Sequence, residues 1–266
     1  MHFYSCFDAE GFLAAAFGNV AAQGAARGAA GAEGALLLAE TAGGKWFESA
    51  VARADGEGDA PGRSVRFSRT DEEESVVVRG GRGETLYVVA GSQIVTRERL
   101  EVLALCTAAE FRDGEPVETV LDQVLRAGGL PVLPWGAGKW WGARGRIVTK
   151  LLETWQERGL RCADSGVRPL FWPRPPQFGA NRLPGAALLR GSDPLPLPGE
   201  EERVGSFGSA LPVSLSARTP AADLRRYLSE EASAAVPYGK PAGILHFLST
   251  QLRLRLGRCG KEGTAE

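Results

Sequence analysis

The hydrophobic and polar positions along the chain alternate between two grammars, one helical and one extended. Asp8 is placed to cap a helix that begins at once, with Phe12, Leu13, Phe17 and Val20 as its apolar stripe and glycines from Gly24 onward fraying its end. The run GALLLAE at 34–40 is short and continuously apolar, the pattern of a buried strand, and it ends on a carboxylate. KWFESAVARA at 45–54 suits a short helix. VRFSRT, SVVVRG, ETLYVVAG and SQIVT then follow as strand-like pieces separated by Gly or acidic clusters, which predicts an antiparallel meander. The Asp-Glu-Glu-Glu run at 71–74 reads as a solvated turn.

From residue 100 the pattern settles into strand then helix. LEVLALCT (100–107), LPVLPWG (130–136), LRCADSG (160–166) and AALLRGSD (186–193) read as strands, and ERVGSFGSALPVSL supplies one or two more. PVETVLDQVLRAGG (116–129), RIVTKLLETWQERG (146–159), AADLRRYLSEE and GILHFLSTQLRLRLGR read as helices. Successive units of this kind imply right-handed crossovers and a parallel sheet or barrel. The expected architecture is α/β: a distorted TIM-like barrel of seven or eight β/α units, carrying an antiparallel insertion near residues 64–96. It forms one domain over residues 1–260, with a disordered tail at 261–266.

Composition narrows the chemistry. The 266 residues carry 31 Lys and Arg against 32 Asp and Glu, a formal net charge of -1, so no basic excess supports nucleic acid as a partner. The four cysteines, Cys6, Cys106, Cys162 and Cys259, form no CxxC pair and no framework spacing, which argues against structural zinc and a disulfide scaffold and for reduced thiols. No run approaches the ~20 apolar residues of a membrane span. No membrane partner and a cytoplasmic location are therefore expected. With His2 and His246 as the only histidines, any metal must rest mainly on carboxylates.

In parallel α/β folds functional groups gather beyond the C-terminal ends of strands. That rule selects His2 and Tyr4, Glu40, Thr107, Lys139, Asp164 with Arg168, and Asp193. The segment WGAGKWWGARGR (135–146) resembles a phosphate-cradling turn but fails the Walker A spacing, since Leu133 stands where the first glycine belongs and Trp140 follows the lysine. Either Lys139 and backbone N–H groups at a helix start hold an anion, or the tryptophans cap the site and the glycines only permit the turn. Asp164 and Arg168, four residues apart, either meet a ligand or lock their own turn. GSDPLPLPGEE places Asp193 at a strand end before a rigid proline arm, the position of a ligand or base, although a turn cap accounts for it too.

HFYSCFD at the start, ALLLAE, GGLPVLPWGAGKW and LLRGSDPLPLPGEE together resemble the polymerase-and-histidinol-phosphatase (PHP) type and amidohydrolase-like barrels. The resemblance implies a His-x-His pair ending the first strand and an Asp ending a late one, together binding divalent metal that activates water on phosphoesters. Carried to this chain, it implies His2, Asp193 and Glu40 as ligands of a Mn, Zn or Mg ion. The first histidine of the pair falls before Met1, so the first strand is expected to be truncated. Metal-dependent hydrolysis of a phosphorylated or anionic small molecule follows, with Lys139 and Arg168 stabilising charge and Asp164 as base or ligand. The alternative is a non-catalytic barrel that binds an anionic or sugar-like ligand or a protein partner.

Overall fold

The computed structural model describes residues 1–29, 31–56, 65–136, 138–169, 171–179, 188–230 and 235–256. The expected tail at 261–266 lies outside them. The first helix, α1 (Ala9–Ala25), starts where Asp8 accepts a hydrogen bond from the Gly11 N–H at 2.7 Å, and it buries Phe12, Leu13, Ala16 and Phe17 on one face. β1 (Gly34–Leu37) and α2 (Trp46–Ala54) follow. The meander is β2 (Val65–Arg69), β3 (Ser75–Gly80) and β4 (Thr85–Val89), and β5 (Gly91–Val95) comes directly after it. β6 (Glu101–Leu105), α3 (Val117–Arg126), β7 (Leu130–Pro134), α4 (Gly142–Trp155), β8 (Arg161–Ser165) and β9 (Leu188–Gly191) form the middle of the chain. β10 (Gly208–Ala210), α5 (Pro220–Glu230), β11 (Val236–Tyr238) and α6 (Ile244–Leu256) complete the order.

These strands form two open sheets. The smaller has the order β1-β4-β3-β2 and the larger β11-β10-β9-β8-β7-β6-β5. The expected distorted TIM-like barrel is thereby corrected, because no closed barrel forms among the described residues and the only parallel pairs in the larger sheet are β7–β8 and β8–β9. The segment at 64–96 is no insertion either, since β2, β3 and β4 build the smaller sheet with β1, and β5 edges the larger. The opening residues form no strand and lie beside β1, where Ala39 N–H bonds to the Met1 carbonyl.

The decisive departure lies between β6 and β7, which pair antiparallel although a helix separates them. After Cys106 the chain runs back along the sheet to the far end of β5, where Asp113 accepts from Val95 N–H and Gly114 donates to the Val95 carbonyl. α3 then starts beside Glu98, whose carboxylate accepts the Val117 N–H. The extended excursion, in addition to the helix, reverses the direction in which β7 enters.

β4 and β5 are one continuous stretch that passes from sheet to sheet through Ala90. β1 follows it across: Leu38 N–H bonds to Val89, Glu40 N–H to Gly91 and Gln93 N–H to Glu40. At Gly91 a Cβ would stand 2.5 Å from the Leu38 carbonyl oxygen and 2.8 Å from that of Ala104, so three backbones converge where only glycine fits. Apolar clusters pack α1 and α2 on the smaller sheet, and α3 and α4 on one face of the larger sheet, with α5 on its other face. The acidic run at 71–74 is more than a solvated turn. Glu72 accepts the N–H groups of Ala221 and Ala222 at the start of α5, and Asp71 pairs with Arg218.

Cys106 and Cys162 are free and buried, while Cys6 is disulfide-bonded, which departs from the expectation of reduced thiols. Among the described residues no helix is long and apolar enough to cross a membrane.

Candidate functional site

The C-terminal ends of β7, β8 and β9 lie on one edge of the larger sheet. Because β6 runs the other way, its first residue, Glu101, reaches the same edge. Lys139 follows β7, and its ammonium makes a short ion pair with the Glu101 carboxylate. Asp193 lies two residues beyond β9, with a φ of 43°, a left-handed conformation that Asp tolerates better than most side chains. One Asp193 carboxylate oxygen lies 3.9 Å from His2 Nε2. The Gln93 side chain on β5 acts on His2 against the downward shift of its pKa, and the rings of His2 and Tyr4 stand 5.6 Å apart.

These groups act on one another. His2 is buried, and desolvation pulls its imidazole below the usual histidine range, while the Asp193 and Glu101 charges oppose the shift. The result is a neutral ring at pH 7. Burial, reinforced by the same two carboxylates, raises the Tyr4 phenol and keeps it protonated. Lys139 pairs with Glu101, and the buried Met1 α-ammonium and Asp193 act on each other through their charges. The Lys139 side chain is 43% exposed. Neither free cysteine offers a nucleophile, since burial pushes the Cys106 thiol up to about 12 and Cys162 upward as well.

The depressed His2 pKa has a consequence for stability. The unfolded chain takes up a proton near the ordinary value of 6.5 that the folded site resists. Stability therefore holds above that pH and falls as the pH drops below it toward the folded pKa. Thermal melts across roughly pH 5 to 8 are expected to show this decline, and His2→Asn is expected to lessen its slope.

Other residues selected from the sequence are engaged elsewhere. Glu40, expected among metal ligands, accepts the Trp46 N–H at 2.7 Å and the Phe47 N–H at 3.3 Å and so caps α2. Burial still raises its carboxyl despite these bonds. Asp164 and Arg168 form a bidentate pair at 2.8 and 2.9 Å, and Arg168 also donates to the Trp172 carbonyl. Both are buried, so the turn-locking alternative describes them and neither joins the His2 cluster. Trp135 and Trp140 are buried beside the Lys139 turn, and Trp141 stacks on Trp172. Lys139 therefore faces Glu101, and the start of α4 lacks a side-chain cap. A separate groove of about 370 Å³ runs along α4 past Arg146, Thr149, Lys150 and Gln177, and it includes none of the His2 cluster.

Glu101 and Gln93 are the site residues that the sequence pattern did not reveal. Glu101 opens an apolar strand, and a strand's first residue reaches the functional edge only when that strand runs against its neighbours. His246 lies on α6 with Nε2 3.5 Å from the buried Glu200 carboxylate, away from this site.

The chemistry available at the edge of the larger sheet is thus a neutral imidazole beside a carboxylate, and an ammonium held by a second carboxylate. Comparison of the chain with protein-family models, curated proteins and solved structures finds no match.

Proposed function

We propose that the chain is a hydrolase of a phosphorylated or otherwise anionic small molecule, akin to the PHP type, with His2, Asp193, Glu101 and Lys139 as its working groups. The observation that carries this reading is the His2–Asp193 approach of 3.9 Å beside the Lys139–Glu101 ion pair, at the strand ends where such sites form. Neutral His2 accepts a proton from water at Nε2 or Nδ1, according to how the substrate seats. Asp193 favours the imidazolium that results. Lys139 stabilises negative charge developing on the substrate, and Glu101 holds the ammonium in place.

A divalent ion, which the resemblance implies, does not fit the groups as they stand. Glu40 is committed to α2, Asp164 to Arg168 and Glu101 to Lys139. Among the described residues no three His, Cys, Asp or Glu side chains come together as a ligand set. The proposed chemistry accordingly uses side chains alone.

The test is turnover of p-nitrophenyl phosphate and its diester analogue by protein dialysed against EDTA. Slow hydrolysis that persists in chelator is expected. Activity that appears only on adding Mn²⁺ or Zn²⁺ overturns the metal-free chemistry. Saturable binding of inorganic phosphate without turnover favours instead the non-catalytic pocket, a reading that the ready-made Lys139–Glu101 pair also accommodates.

A further inference from the structure

We infer that α6 is the contact surface of a homodimer, its exposed leucine row pairing antiparallel with the same row of a second copy of this chain. The inference does not rest on the hydrolase reading. α6 sits on the protein the opposite way round from most surface helices, with its apolar face outward. The contacts that hold it are mostly polar. Thr250 is buried, His246 Nε2 lies 3.5 Å from the Glu200 carboxylate, Arg253 donates to the Pro198 carbonyl at 2.8 Å, and the Phe247 ring meets Phe171 at 5.9 Å. Leu245, Leu248, Leu252 and Leu256 are 84%, 56%, 57% and 79% exposed, and Ile244 beside them is exposed as well. Residues three and four apart share one face of a helix, so the four leucines form a single row about 16 Å long.

The row carries on into a second apolar area. Phe171, itself exposed, touches Trp172 as well as Phe247, and the exposed Trp141 stacks on Trp172. A contiguous apolar surface of this size, on the order of 600 Å² for the helix row alone, marks an interaction site rather than scattered exposure. Two such rows brought together remove about 1,200 Å² from water, the lower end for a stable complex. The row also fits itself. With spacings of three, four and four residues it reads nearly the same from either end, so in an antiparallel pair Leu245 meets Leu256 of the second copy and Leu248 meets its Leu252. A two-fold axis requires this self-complementarity. Charge selects the same sense. α6 bears Arg253 and Arg255 in its last turn and no carboxylate. Parallel pairing would crowd the guanidiniums of both copies at one end, whereas antiparallel pairing separates them and opposes the two helix dipoles.

Sedimentation velocity and light scattering on the full chain provide the test. Wild type is expected at the mass of two chains at about 10 µM. Leu248→Glu is expected to weaken the dimer roughly 100-fold or more, since one substitution falls twice across the axis. Because the residue is exposed, the far-UV circular dichroism spectrum should not change. Leu252→Lys is expected to behave alike. Mixed in equal amounts, the two variants are expected to pair at least about tenfold more tightly than either does alone, because the antiparallel register sets the new carboxylate beside the new ammonium. The inference is overturned if wild type is a single chain at about 100 µM, if the dimer survives either substitution, or if mixing restores nothing. A single-chain wild type that binds vesicles of anionic phospholipid overturns it in favour of a lipid surface for the leucine row.

Discussion

Replacing Arg168 with methionine is expected to destabilise the protein by about 3 to 5 kcal/mol, the usual cost of breaking a buried ion pair from one side. The Asp164 side chain is 3% exposed and that of Arg168 10%, and both carboxylate oxygens are taken by the guanidinium. Loss of the guanidinium strands a charge that water cannot reach and frees the Trp172 carbonyl as well. The lower end of the range is expected, because Arg190 on the neighbouring strand also acts on Asp164. Urea denaturation midpoints measure the loss. Asp164→Asn combined with Arg168→Met should cost less than Arg168→Met alone. A double variant as unstable as the single one would show that packing around Arg168, and not the charge, sets the cost.

The largest effect on activity is expected from His2→Asn, a fall in kcat/KM of about 10²- to 10⁴-fold, the range that a positioned acid–base group contributes. Asparagine keeps a polar group near Gln93 but removes the only imidazole at the site. Asp193→Asn should cost less, because a carboxylate at 3.9 Å acts on His2 through its charge and not through a hydrogen bond. Steady-state kinetics on whichever phosphoester turns over provide the measurement. In wild type the acid limb of the pH profile should lie below the ordinary histidine value of 6.5, following the lowered pKa of His2, and it should vanish in His2→Asn. An unchanged rate in His2→Asn would remove His2 from the reaction and with it the hydrolase reading.

Elements were legible where local signals agree. Asp8 before Phe12 and Leu13 announces α1, and the spacing of Val117, Val120, Leu121 and Val124 announces α3. Strand direction was not legible, because an apolar run such as LEVLALC has the same pattern whichever way it lies in a sheet. That single ambiguity turned two open sheets into an expected barrel, and it also hid Glu101. β11 escaped for another reason, being three residues long with Pro237 at its centre and both Val236 and Pro237 exposed. At the site, His2, Lys139 and Asp193 were singled out as residues that follow strands; Lys139 and Asp193 do follow β7 and β9, whereas His2 lies in an opening segment that forms no strand. The same rule selected Glu40, which caps α2, since a carboxylate after a strand looks alike whether it faces a pocket or receives the N–H groups of the next helix. Whether Asp164 and Arg168 face a ligand or each other depends on packing that spacing cannot express.

The stretch through β4 and β5 belongs to both sheets, and such a join leaves no loop between them at this point. Gln93, whose side chain acts on His2, lies three residues past Ala90, where the stretch passes between the sheets. The packing of α1 and α2 on the smaller sheet is thereby joined through unbroken backbone to the strand that carries Gln93.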